Sequence, residues 1–139
     1  MTNEGDPTRG PTTGVTPYLS VVGAKAAVDF YKRAFGAEEV FRNTADDGER
    51  LLHSRLLING GWVMLSDYFP EMRGGAPAPI PAATTLHLEV DDADAWWSRA
   101  LEAGATVVFP IADQFWGDRY GQFLDPFGHT WSVASKIKG

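Results

Sequence analysis

The chain carries three histidines and no cysteine. Imidazole chemistry therefore rests on His53, His87 and His129, while thiol catalysis, disulfides and zinc–thiolate sites are excluded. His87 and Glu89 stand two residues apart in TLHLEV, which alternates like a strand. That spacing puts both side chains on one face, where a carboxylate beside an imidazole can hold or move a proton. The same pair also fits a histidine hydrogen-bonded within a polar pocket. Tyr18, on one strand face with Thr16, is a third candidate for acid–base work. His53, in mid-strand beside Arg55, reads as structural or surface, and His129 borders a turn. Along the sequence, no three of these residues assemble as nucleophile, base and orienting group. There is no GxSxG, and Gly60-Gly61 and Gly74-Gly75 fit turn chemistry better than phosphate binding.

A second candidate constellation is Phe115-Trp116-Gly117-Asp118-Arg119-Tyr120-Gly121. Aromatics interleaved with glycines before a strand suit a pocket rim that stacks on a flat ligand. Arg119 could clamp a carboxylate or phosphate, or pair with Asp118 or backbone while the aromatics join the core. Of the five tryptophans, Trp96 and Trp97 fall at helical core spacing and Trp62 and Trp131 flank two hairpins. Trp116 is the one expected to touch a ligand. Met64 and Trp62 would give the pocket an apolar wall.

An internal repeat must position these groups. Leu19 and Val21 match Leu88 and Val90 at an offset of 69 residues. Gly36-Ala37 matches Gly104-Ala105, and Gly60 matches Gly128, at an offset of 68. Each copy reads strand, helix, then three strands. In the first, residues 15–22 alternate, and Ala24, Ala27, Val28, Tyr31, Ala34 and Phe35 follow at helical spacing. Gly36 stands where a helix-ending glycine belongs. Segments 38–44, 50–58 and 62–67 read as strands, the last two joined by Asn59-Gly60. In the second copy, strand 84–90 precedes helix 93–103, with Asp91 or Asp92 as its N-cap. Strands near 106–110, 119–124 and 129–135 follow, with an Asp125-Pro126-Phe127-Gly128 turn between the last two.

The expected architecture is α+β: two βαβββ modules related by a pseudo-twofold, with curved mixed sheets around a central cavity and helices outside. Residues 1–14 read as a disordered tail and 15–139 as one domain. Within it, module 1 is 15–67, a Pro/Gly-rich linker is 68–82, and module 2 is 83–139. A net charge of −6 argues against nucleic acid or an anionic membrane as partner. The sequence shows neither a membrane-length apolar stretch nor the apolar run of a secretion signal, and a cytoplasmic location is expected.

PYL, FYKRAFGAEE, VMLSD, FWGDRYG and DPFGHTW, spread over residues 15–135, together resemble the glyoxalase/bleomycin resistance/dioxygenase (vicinal oxygen chelate) superfamily, and its PhnB-like branch in particular. The resemblance implies a homodimer. In metal-dependent members it also implies ligands on the first and last strand of each module, holding a divalent ion that chelates two substrate oxygens. Alignment on Val21 and Phe30 puts the first ligand position at Thr16, with repeat mate Thr85. Alignment on the Asp125–Gly128 turn puts the closing position at Ser132, with repeat mate Met64. None is a usual ligand for such an ion, so no metal and no cofactor are expected.

Thr16, Tyr18, Met64, Thr85, His87, Trp116, Arg119 and Ser132 are then the expected pocket lining. The first functional reading is a protein that binds or sequesters an unknown small molecule. The alternative is a metal-independent lyase, isomerase or transferase acting on a small oxygenated metabolite through His/Glu acid–base chemistry, with His87, Glu89 and Tyr18 as candidates. A metal-dependent glyoxalase or dioxygenase is disfavoured.

Overall fold

A computed structural model describes residues 12–138, so most of the predicted N-terminal tail lies outside the described residues. The order is β1 (Tyr18–Val21), α1 (Ala24–Phe35), β2 (Glu38–Thr44), β3 (Leu51–Ile58), β4 (Gly61–Asp67), a 3-10 turn (Pro70–Met72), β5 (Thr85–Glu89), α2 (Ala93–Ala103), β6 (Thr106–Asp113), β7 (Asp118–Leu124) and β8 (Thr130–Lys136). Two four-stranded mixed sheets result, ordered β1-β4-β3-β2 and β5-β8-β7-β6. In each, the first strand runs parallel to the last strand of its module, and the other pairs are antiparallel. This is the βαβββ module twice. The chain divides into two compact units at Ala78/Pro79, except that Arg33–Phe35 counts with the second.

In the first unit, strand parity separates a buried face from an open one. Leu19, Val21, Leu56, Ile58, Val63 and Leu65 are buried, while on the other face Tyr18 and Ser20 are exposed and His53, Arg55, Trp62 and Met64 are partly exposed. Helix α1 buries Ala24, Ala27, Val28 and Tyr31 at the spacing its sequence dictates, and ends on Gly36 in the left-handed conformation (φ 65). Its start has no side-chain cap of its own. Asp67, at the end of β4, takes that role from across the unit. One carboxylate oxygen accepts the Gly23 and Ala24 amides at 2.8 and 3.0 Å, and the other accepts the Leu51 amide at 2.7 Å.

The second unit repeats the device with a different residue. Ser135 Oγ accepts the Ala93 amide at 3.1 Å, and Asp92 caps α2 through the Ala95 amide at 3.2 Å. Phe35 lies 4.6 Å from Trp131 and 5.9 Å from Phe123, ring centre to ring centre. Helix α2 sits close enough on β7 that a Cβ at Gly121 would fall 2.6 Å from the Trp97 ring. Asp125 organises the last hairpin, accepting the Phe127 and His129 amides and the Trp131 indole N–H at 2.8, 3.0 and 2.9 Å.

Candidate functional site

The open face of the second sheet is built from a row that only the pairing register reveals. Parallel pairing sets His87 opposite Ser132, and antiparallel pairing sets Ser132 opposite Gln122. His87 Nδ1 then lies 2.6 Å from Ser132 Oγ, and Nε2 lies 2.8 Å from Glu89 Oε1. A carboxylate can only accept, so in the neutral ring Nε2 carries the proton and Nδ1 accepts the Ser132 hydroxyl. Ser132, 45 residues from His87 in sequence, thus joins His87 and Glu89 in one hydrogen-bonded chain. Ser132 is 1% exposed, which keeps its oxygen from a substrate carbonyl and makes it the group that orients His87. His87 and Glu89 remain open, with side chains 40% and 68% exposed. The Tyr120 ring stacks on His87 at 6.1 Å, and Trp116 meets Tyr120 edge-on at 5.7 Å. Gln122 Nε2 donates to Tyr120 Oη at 2.7 Å.

The first sheet places a related cluster on its open face. Tyr18 Oη lies 2.7 Å from His53 Nδ1, and Arg55 Nε lies 3.0 Å from His53 Nε2. An arginine N–H only donates, so Nε2 is the acceptor and the ring proton sits on Nδ1, donating to Tyr18 Oη. The Tyr18 hydroxyl hydrogen is left to point outward. Burial and the neighbouring Arg55 charge hold His53 below its ordinary pKa, which keeps the ring neutral as this arrangement requires. The Arg55 guanidinium lies over the Phe41 ring at 4.8 Å, and its Nη1 is buried with no hydrogen-bond partner among the described residues. Beside Tyr18 opens a cavity of about 470 Å³, lined also by Ser20, Leu52, Tyr68, Phe69 and Arg73. His53, read from sequence as structural or surface, therefore joins this cluster. The missing signal was the strand register that brings residue 53 beside residue 18.

The other expected site residues fall as follows. Met64 is the register partner of Tyr18, and Thr85 is exposed opposite Thr130. Thr16 precedes β1, half-buried. Three hydroxyls and a thioether are poor donors for a divalent ion, so the residues at Thr16, Met64, Thr85 and Ser132 do not fit the superfamily's metal. Among the described residues, no three His, Cys, Asp or Glu side chains cluster in a way that could hold one. Arg119 lies on the other face of β7 from Tyr120. Asp94 and Asp113 bind it at 2.8 and 3.1 Å and raise its pKa. Asp118 accepts the Trp116 indole N–H at 3.1 Å, so it does not pair with Arg119. His129 sits in the Asp125 turn. No described helix is long and apolar enough to cross a membrane.

Two βαβββ modules, each a four-stranded mixed sheet with its helix, define the glyoxalase/bleomycin-resistance class of fold. The chain belongs to the glyoxalase/bleomycin resistance protein/dioxygenase superfamily, whose model matches residues 15–133. It is 48% identical over 128 residues to the Mycobacterium bovis protein Mb0911c, covering 89% of this chain and 84% of that one. The solved structure of TioX from Micromonospora sp. ML1 is 28% identical with a TM-score of 0.70, covering 90% of this chain and 99% of that one. A PhnB protein from Bacillus cereus shares the fold at 17% identity and a TM-score of 0.70, over 88% of this chain and 99% of that one.

Proposed function

We propose that the protein binds an oxygenated small molecule on its open sheet faces without the divalent ion of its metal-dependent relatives. The observation that carries this reading is the cavity of about 470 Å³ beside Tyr18, whose lining joins aromatic rings to a hydroxyl free to donate. Its size suits a compact metabolite, and the four ligand positions offer no imidazole or carboxylate. Thermal-shift and calorimetric screening of small carbonyl and carboxylate compounds should find binders whose affinity is the same with chelator as with added zinc, nickel or manganese. Stoichiometric, tightly held divalent metal in the purified protein would overturn the reading.

A second reading is favoured by the Ser132–His87–Glu89 chain: metal-independent acid–base catalysis. There Glu89 takes a proton from the carbon next to a substrate carbonyl, and the electron pair passes into that carbonyl. His87, held by Ser132, steadies Glu89 through its Nε2–H. Turnover that resists chelators and collapses in His87→Ala supports it; turnover indifferent to that change removes it. Homodimerisation belongs to the same proposal. Edge strand β6 leaves Val107, Val108 and Phe109 exposed, and Phe115 is 96% exposed. Light scattering that finds a monomer would end that part.

A further inference from the structure

We propose that the open face of the first sheet recognises a carboxylate, with Arg55 as its cationic anchor and Tyr18 as donor to a second oxygen of the same molecule. The inference deepens the small-molecule reading and rests on it. Arg55 is the cation in this cluster, and no carboxylate of the described residues lies within ion-pair distance of it. The neighbouring cations, Arg42 in β2 and Arg50 just before β3, are spoken for. Arg42 binds Glu39 at 2.9 Å, and Arg50 binds Asp47 and Glu71, both at 2.6 Å. A buried guanidinium nitrogen without an acceptor is costly, and the fold does not demand a cation there. In the second sheet the corresponding row runs His87, Ser132, Gln122, Phe109 where the first runs Tyr18, Met64, Arg55, Phe41. The same place in the same topology thus accepts a neutral glutamine.

The geometry also shows which further ligand groups the cluster would favour. His53 bridges the two donors, taking the Arg55 Nε–H on one ring nitrogen and giving its proton to Tyr18 on the other. The Arg55 guanidinium, whose buried Nη1 has no acceptor among the described residues, and the Tyr18 hydroxyl hydrogen are the donors left over, and the ring between them is neutral. Two donors and no acceptor select an acid over an amine; a further carbonyl or hydroxyl oxygen adds affinity through Tyr18 and is not needed for the Arg55 contact. Phe41 beneath the guanidinium and Met64 between the two strands favour an apolar or aromatic body.

The test uses benzoate and its neutral counterpart benzamide as probes against the full chain, with binding followed by tryptophan fluorescence and by the 15N-edited signal of the Arg55 side chain. Benzoate should bind about tenfold more tightly than benzamide and shift the Arg55 Nε–H resonance. Arg55→Met should abolish the preference, Arg55→Lys should keep part of it, and Arg42→Gln should leave it unchanged. An unaltered amide spectrum in Arg55→Met separates a lost contact from a lost fold. Equal binding of both probes, or benzoate binding untouched by Arg55→Met, overturns carboxylate recognition while leaving small-molecule binding intact. Failure of benzoate to bind at all, with other compounds still bound in the screen, overturns it equally.

Discussion

The open faces of the two sheets hold the same pair of rings in opposite order. In the first unit a tyrosine stands on the first strand and its histidine on the third. In the second the histidine is on the first strand and the tyrosine on the third. The neighbours then decide what each histidine can do. Arg55 gives only hydrogens, so it forces the His53 proton onto Nδ1. Glu89 takes only hydrogens, so it draws the His87 proton to Nε2. One face is therefore cationic with outward donors, and the other is anionic with an acceptor at its edge. A duplicated scaffold has kept its row of positions and diverged in charge.

The largest effect that separates the units lies beneath these faces, where each helix start is held by the last strand of its own module. Asp67 satisfies three backbone amides and Ser135 satisfies one. Asp67→Ala should cost about 3 kcal/mol or more, since a buried N–H left unpaired costs roughly 1–3 kcal/mol. Ser135→Ala should cost about 1 kcal/mol. Urea unfolding measures both, and equal losses would mean that the two caps are interchangeable. Next in size is Gly121→Ala. The new methyl would meet the Trp97 ring at 2.6 Å and the Ile111 backbone at 2.9 Å. Overpacking of that kind costs about 1–3 kcal/mol, and it would push β7, with Tyr120 and Gln122, off the second face only.

The helices, their glycine stop at Gly36, a cap at Asp91 or Asp92 and the repeat were legible because each shows in periodicity, in a turn residue or in matching segments of the chain. Strand parity was legible too, which is why Tyr18, His87 and Glu89 could be placed on strand faces before any coordinates. What sequence did not carry is which residues stand opposite one another. The parallel pairs β1–β4 and β5–β8 join segments more than 40 residues apart, so the Ser132–His87 and Tyr18–His53 contacts have no local trace. Arg119 shows the converse. Its neighbours in sequence are aromatic and suggest a pocket rim, but parity turns it toward α2, where Asp94 waits. The helix-capping role of Asp67 is equally long-range.

Acid titration sharpens the comparison further. His53 has its pKa lowered from 6.5 by burial first and then by Arg55. The unfolded chain therefore binds that proton more readily than the folded one. The stability tied to neutral His53 is whole above pH 6.5 and is lost as pH falls below it through the lowered folded value. In Arg55→Met the charge is gone and burial remains, so the His53 titration should move up toward, but not reach, 6.5. Ring 15N shifts at neutral pH should report the Nδ1–H form for His53 and the Nε2–H form for His87. Matching tautomers would erase the difference between the two faces.

The smallest effect is also the most discriminating. Tyr18→Phe and Tyr120→Phe each remove a single hydroxyl, worth about 1 kcal/mol where it is hydrogen-bonded. Tyr18 is 53% exposed, so its loss should hardly change stability. Its hydroxyl is the outward donor of the cationic face, so affinity for an oxygen-bearing carboxylate should fall about fivefold to tenfold. Tyr120 accepts from Gln122 inside its own unit, and Tyr120→Phe leaves that amide without its acceptor. Its loss should appear in unfolding measurements while carboxylate affinity holds. If the two variants lose affinity alike, the faces do not divide the work, and the exchange of tyrosine and histidine between modules carries no functional difference.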